Sequence, residues 1–367
     1  MSEDVPVSLL YCDALLSLLQ HLPVDALVNA AAVCRSWRHA VDNQALWRDV
    51  CLGEGILSTG AGGGGSGLEL NEHARLCLAR RQAESVALHL NLKVRISQSG
   101  LESLAASLPA LRGLDLRQCC NASDGAVQAF AQVCPQLQSL TLASCPKVSD
   151  EAIAHLSGLP LAELDISLCE ISDDGLAALA PLPLRSLVMQ ECKLPTAAGL
   201  CRLGALGSLR ELDLTATPTC DESLDHLCTT LPLLEVLSLA FCSRIADVSC
   251  LQRLRNLKKL GLAGCRLECF EEAADADDAA AAEQLSYGWP HLGALEELSL
   301  MWCAIGDVEI LGVSRRLPSL RWLDVSWTMV TAPGAAAVCR QIASLDVKQV
   351  RLTPGLETPP TCDETKQ

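Results

Sequence analysis

The sequence predicts an α/β solenoid, with short parallel strands lining the inside of an arc and helices outside, behind a small all-helical module. Three observations carry this. The pattern LxxLxLxxC first appears at Leu111-Arg-Gly-Leu114-Asp-Leu116-Arg-Gln-Cys119 and then recurs along the chain. The copies are nearly evenly spaced. Between them stand Ser-Asp pairs of the kind that start helices.

Composition sets the limits. Half of the 367 residues are hydrophobic but only 3% are aromatic, so Leu, Ala, Val and Cys must fill the core. No apolar run reaches the roughly 18 residues of a membrane span. The opening Met1-Ser-Glu-Asp-Val-Pro is acidic where a secretory signal is basic. The expectation is a soluble intracellular protein, cytoplasmic, nuclear or both, with no membrane partner. The net charge of −16 disfavours nucleic acid, which wants a basic face. Twenty cysteines include no CxxC pair, and many fall at one position of the repeat. They read as reduced, buried side chains rather than disulfides or zinc ligands.

The first element, residues 1–52, does not fit the repeat. Leu15, Leu16, Leu18, Leu19 and Leu22 give a helical apolar face. Pro23 suits a helix start, with Asp25 in the first turn. Two or three short helices are expected, with Trp37 and Trp47 as large packing groups. The blocks Leu-Ser-Leu-Leu-Gln-His-Leu-Pro-Val-Asp-Ala-Leu and Val-Cys-Arg-Ser-Trp-Arg-His-Ala-Val, closed by Ala45-Leu46-Trp47, resemble an F-box. That family opens with Leu-Pro and an acid; here Leu10-Tyr11 stand there, with Asp13 following. The resemblance implies docking on the Skp adaptor of a cullin ubiquitin ligase through Leu10, Leu15, Leu18, Leu19, Leu22 and Leu27.

Residues 53–67 are glycine-rich and read as a flexible linker. No Lys follows in the Walker pattern, so they are not a phosphate loop. Residues 68–84 read as a helix capping the first repeat. The repeat domain spans 68–354, with copies starting at Leu111, Leu137, Leu161, Leu184, Leu209, Leu234, Leu257, Leu295 and Leu320. Degenerate copies begin near Ser85 and Val347. All intervals but one lie within the roughly 20–29 residues of a leucine-rich repeat. The long one, after Leu257, holds an acidic insertion at 268–290. Residues 355–367 read as a disordered tail.

In each copy LxL is strand alternation with both leucines inward. The ninth residue is Cys seven times and Thr at Thr217 and Thr328, small enough to bury under the turn. Ser149-Asp150 and Ser172-Asp173 read as helix caps. Together the two segments resemble the F-box leucine-rich-repeat proteins with Cys at the ninth position. Those are substrate receptors of SCF-type ubiquitin ligases that perform no chemistry themselves.

Third and fifth residues of each copy face the concave side. They include Glu163, Glu211, Glu297 and Trp322, and Asp115, Asp165, Asp213 and Asp324. Acid recurring at one register predicts stacked carboxylates that attract a cation. Trp289, Trp302, Trp322 and Trp327 cluster late in the chain. Trp302 and Trp327 take eighth positions, as does Phe241, and Met301 a seventh. Exposed Trp and Met are typical anchors, so a patch of Trp302, Trp322, Trp327 and Met301, with Asp324 and Glu297 beside it, is the candidate substrate site. It predicts a protein partner carrying Lys or Arg near apolar residues. The opposing reading has these tryptophans packed under the insertion. No HExxH, GxSxG or paired metal spacing occurs, so no cofactor, metal or catalysis is expected. Two functions stay open: a substrate-recognition subunit of an SCF-type ligase, or a repeat scaffold attached to no ligase.

Overall fold

An LxL triplet puts two leucines on one face, and a strand of that kind is stable only when the next repeat supplies its hydrogen bonds and covers its leucines. The computed structural model shows that arrangement repeated. It describes residues 96–267, 289–342, 344–345 and 350–352. Ahead of these it describes residues 19, 24–33, 37 and 40–41 and the strand segments 49–52, 57–59, 68–70 and 85–88. They belong to two units, Met1–Glu170 and Ile171–Gln367.

In the first unit, helix α1 (Val24–Val33) starts directly after Pro23. Strands β1 (Asp49–Leu52), β4 (Ser85–Leu88), β5 (Gly113–Asp115), β6 (Ser139–Thr141) and β7 (Glu163–Asp165) form a parallel sheet in that order. Register is strict: Leu114 pairs with Leu140, and Leu140 with Leu164. Helices α2 (Gln98–Ser107), α3 (Asp124–Val133) and α4 (Asp150–His155) alternate with the strands.

Two segments differ from the sequence expectation. Leu57–Thr59 (β2) and Leu68–Leu70 (β3) form an antiparallel hairpin, where a coil linker and a helix are expected. Leu57, Leu68 and Leu70 supply the strand pattern, and the glycines between them sit in the connection. Asp49–Leu52, expected to end the helical module, is instead the first strand of the sheet. It pairs along its length with Ser85–Leu88. Residues 71–84, the insertion at 268–288 and the tail lie outside the described residues.

The second unit continues the pattern with β8 (Ser186–Val188), β9 (Glu211–Asp213), β10 (Val236–Ser238), β11 (Lys259–Gly261), β12 (Glu297–Ser299), β13 (Trp322–Asp324) and β14 (Val350–Arg351), all parallel in chain order. Its helices are α5 (Asp173–Ala178), α6 (Ala197–Arg202), α7 (Asp221–Thr230), α8 (Asp307–Ser314) and α9 (Ala332–Gln341), with a 3₁₀ segment at Ser249–Arg253. This is the leucine-rich-repeat fold. First, fourth and sixth leucines are buried throughout both units, each contributing about 1.5–3 kcal/mol.

The caps read from the sequence are present. Ser149 accepts from the Glu151 N–H and Ser172 from the Asp174 N–H. The acid beside a cap does more than complement the helix dipole. Asp124 accepts from both the N–H and the hydroxyl of Ser149 in the next repeat, at 2.8 and 2.7 Å. Asp173 accepts in the same way from Thr196, and Asp307 from Thr331. Thr196 holds the Asp173 carboxyl below its usual range. The Asp173 and Asp307 clamps leave no room for a side chain on the following turn. A Cβ at Gly199 would lie 1.9 Å from Asp173, and one at Gly334 1.9 Å from Asp307.

The ninth-position cysteines also act between repeats. Cys145 Sγ donates to the Leu116 carbonyl at 3.1 Å, Cys169 to Leu142 at 3.1 Å, Cys242 to Leu214 at 3.1 Å, Cys265 to Leu239 at 3.2 Å and Cys303 to Leu262 at 3.2 Å. Each acceptor is the sixth residue of the preceding copy. So these thiols are hydrogen-bond donors as well as small apolar filler. Thr217 and Thr328 instead donate to carbonyls of their own copies, Leu214 and Val325.

Asp307→Ala should lower unfolding free energy by about 1–3 kcal/mol, since it orphans two donors at a helix start; urea titration measures it. Thiol burial sets a second expectation. Burial pushes Cys145 and Cys265 up to about 12, and Cys169 and Cys303 up to about 11, from an ordinary 9.0. A raised folded-state pKa means the contribution is whole below 9 and lost as pH climbs toward 11–12. Stability should therefore fall across that window. Replacing Cys145 with Ala should flatten the slope in alkaline denaturation.

Candidate functional site

After its three-residue strand each repeat must turn outward, and the eighth residue makes that turn in the left-handed region. Gln118, Ser144 and Leu168 in the first unit, and Glu191, Ala216, Phe241, Gly264, Trp302 and Trp327 in the second, all have φ between 55° and 68°. The N–H of the eighth residue then reaches the seventh carbonyl of the next copy: Phe241 to Ala263 at 2.6 Å, Gly264 to Met301 at 2.8 Å, Trp302 to Ser326 at 3.1 Å. The eighth side chain is not needed for packing and projects at the strand exit.

Glycine or asparagine suits such a position, because a left-handed backbone costs other residues roughly 1–2 kcal/mol. Only Gly264 fits that rule. Phe241, Trp302 and Trp327 do not, and they are 47%, 58% and 57% exposed. Their rings form one row. Phe241 and Trp302 centroids lie 6.5 Å apart at 76°, edge to face, and Trp302 and Trp327 lie 6.0 Å apart at 54°.

Phe241 and Trp302 are two copies apart, and Gly264 lets them meet. The Phe241 ring lies over it: a Cβ at Gly264 would sit 2.6 Å from Phe241 Cδ1. Met329, 70% exposed, follows Trp327 by two residues. The row thus combines exposed apolar area with bulky rings on a left-handed backbone, where packing calls for no such side chain. Strain of this kind gathers at functional sites.

The other residues of the predicted patch are placed differently. Met301 is half-buried at the seventh position. Trp322 is exposed, but at the third position of its copy. It opens the strand, five residues upstream of Trp327, which stands past the strand's exit. Glu297 stands beside Trp322 in register and is paired with Lys259 at 2.9 Å. Asp324 is buried, accepting from the Ser326 N–H at 2.9 Å and hydroxyl at 2.5 Å. It is not a surface acid. Trp289 is fully buried and belongs to the core.

The expected stack of carboxylates is also absent from both units. Asp115 and Asp165 each pair with Thr141, and Asp213 is flanked by Val188 and Ser238. Asp115, Asp165 and Asp213 accept from the backbone N–H of Arg117, Ser167 and Thr215, two residues on. The fifth-position acid therefore secures a turn and does not call for a cation.

In the N-terminal module, Leu19 and Leu27 are buried within the chain, at 1% and 3% exposure. This corrects the expectation that both face an adaptor. Leu10, Leu15, Leu18 and Leu22, like Trp47, lie outside the described residues. Trp37 is half-buried. Among the described side chains of α1, the exposed apolar one is Val33, at 64%. It lies one turn beyond exposed Asn29, at the end of the helix.

Two family models match the sequence: one described as F-box-like over residues 12–53, and one described as a leucine-rich repeat over residues 160–180. One chain thus carries an F-box-like segment and, after it, leucine-rich repeats. No curated protein matches the chain significantly. Solved structures similar to it include the internalin InlF of Listeria monocytogenes str. 4b F2365, at 14% identity and TM-score 0.49, covering 90% of this chain and 89% of that one. The Rad7 and Elc1 complex of yeast matches at 16% identity and TM-score 0.48, covering 96% and 90%. Among the described residues no cluster suits a metal ion, and no helix is long and apolar enough to cross a membrane.

Substitution should separate the exposed row from the core. Trp302→Ala and Trp327→Ala should each change stability by less than about 1 kcal/mol. Trp289→Ala should cost about 3–5 kcal/mol. Thermal melts of the three variants check this.

Proposed function

We propose that this protein is the substrate-holding subunit of an SCF-type cullin ubiquitin ligase. In this reading the F-box-like module docks on the Skp adaptor, and the repeats hold a target protein for ubiquitin-dependent degradation. The chain brings no chemistry of its own and works in the cytoplasm, the nucleus or both. The observation that carries it is one chain holding both an F-box-like segment and a strained, solvent-facing Phe241–Trp302–Trp327 row. A scaffold needs repeats but no F-box. A binding surface explains why bulky rings occupy positions where glycine would be more stable.

The adaptor contact is assigned to the exposed side of α1, with Val33 at its centre, since Leu19 and Leu27 are spent in the interior. Full-length protein and purified Skp adaptor, measured by calorimetry, test this. Binding should be detectable, and Val33→Asp should weaken it about tenfold or more with an unchanged melting temperature. Deleting residues 1–52 is a poor substitute, because it removes β1 from the sheet.

The second reading, a scaffold attached to no ligase, is favoured by Tyr11 where the family has Pro and by the burial of Leu19 and Leu27. Absence of adaptor binding by the intact, folded chain establishes it.

A further inference from the structure

We propose that the Phe241–Trp302–Trp327 row takes an extended peptide segment with apolar side chains at alternate residues and a carboxylate beside them. This deepens the substrate-holding reading and names the chemistry of what is held.

Spacing comes first. Successive rings stand 6.5 and 6.0 Å apart. In an extended chain, side chains on one face recur every two residues, about 6.6 Å. A segment running across the strand exits therefore brings an apolar side chain to each ring. A helix repeats a side chain about every 6 Å at i and i+4, but that position rotates by roughly 40° at each step, so three in succession do not stay facing a straight row.

The backbone decides how the segment is gripped. The N–H groups of Phe241, Gly264 and Trp302 are all bonded to the next copy. The row has no free main-chain donors at these residues, so the segment is not added as another strand. Recognition runs through side chains, and the alternation of apolar residues is what is read.

Charge supplies the third argument. The acids expected to draw a basic partner are compensated: Asp324 is buried and hydrogen-bonded, and Glu297 is paired with Lys259. The exposed charges in the exit loops that follow Phe241 and Gly264 are Arg244, Asp247 and Arg266, and of these Asp247 is engaged by the Ser249 N–H and hydroxyl. Neither arginine forms an ion pair with another described residue. An acidic residue flanking the apolar ones matches them, and this reverses the basic partner expected from the sequence.

The test uses the full-length protein and labelled synthetic peptides, read by fluorescence polarisation. The first peptide alternates Leu with Ser and ends in Asp-Glu. A second spaces Leu at every third residue. A third ends in Lys-Lys, and an oligo-dT probe stands for single-stranded nucleic acid. The alternating acidic peptide should bind best, with the third-residue spacing about tenfold weaker. Trp302→Ala with Trp327→Ala should abolish the preference without shifting the melt. Gly264→Ala should weaken binding several-fold, because its methyl displaces the Phe241 ring. Arg244→Glu with Arg266→Glu should turn the preference toward the Lys-Lys peptide. Equal binding of both spacings, tighter binding of the oligonucleotide, or no peptide binding by the folded protein would overturn the proposal. None of these outcomes depends on the adaptor, so its failure is distinguishable from failure of the ligase reading.

Discussion

A strand three residues long that must leave its sheet needs a residue of positive φ at the exit. In this protein that residue also ties one repeat to the next through its own N–H. The rest of the architecture follows from this turn. It sets the register that stacks Leu114, Leu140 and Leu164, and, in the second unit, Leu212, Leu237 and Leu260. It also leaves the sixth carbonyl of the preceding copy to be met by the buried thiol at position nine. Because that backbone is specified by hydrogen bonds, the side chain at position eight is released from any packing duty. A position fixed in conformation and free in chemistry is where a binding surface can be written.

The same logic explains the economy of polar groups. The fifth-position Asp residues close their own turns, Asp124, Asp173 and Asp307 each clamp the next repeat, and Cys145, Cys169, Cys242, Cys265 and Cys303 each cap a carbonyl of the copy before. Alternating charges run through the second residues of the later copies: Arg210 to Glu235, Glu235 to Lys258, and Glu296 to Arg321. Pairs this exposed stabilise little individually. Like charges out of step would repel, so their order opposes a slipped stacking of the repeats.

Much of this was legible in the sequence, because a period of leucines has only one way to be buried. The strands, the caps at Ser149 and Ser172, and the clustering of aromatics at eighth positions all follow from counting. What counting could not reach were individual contacts. The sequence shows Asp at 115, 165 and 213, with Thr141, Val188 and Ser238 at the same position of other copies, but not that each Asp accepts from the backbone N–H two residues on. Gly264 carries no motif of its own, and its role appears only when the Phe241 ring is seen lying over it. Leu19 and Leu27 matched the adaptor-facing pattern, yet the same apolarity serves a core, and pattern alone does not distinguish the two. Asp49–Leu52 paired far along the chain, beyond the reach of local propensity.

That last pairing alters the mechanics of the N-terminal region. A glycine run between two folded parts normally acts as a universal joint. Here the chain enters the sheet as β1 before the glycines begin, and residues 57–59 and 68–70 close the run into a hairpin. Torque on the F-box-like helices passes into the repeat sheet through the rungs joining Asp49–Leu52 to Ser85–Leu88, bypassing the glycines. The F-box-like segment is thus tied to the first repeats by strand pairing that comes before the glycines in the chain.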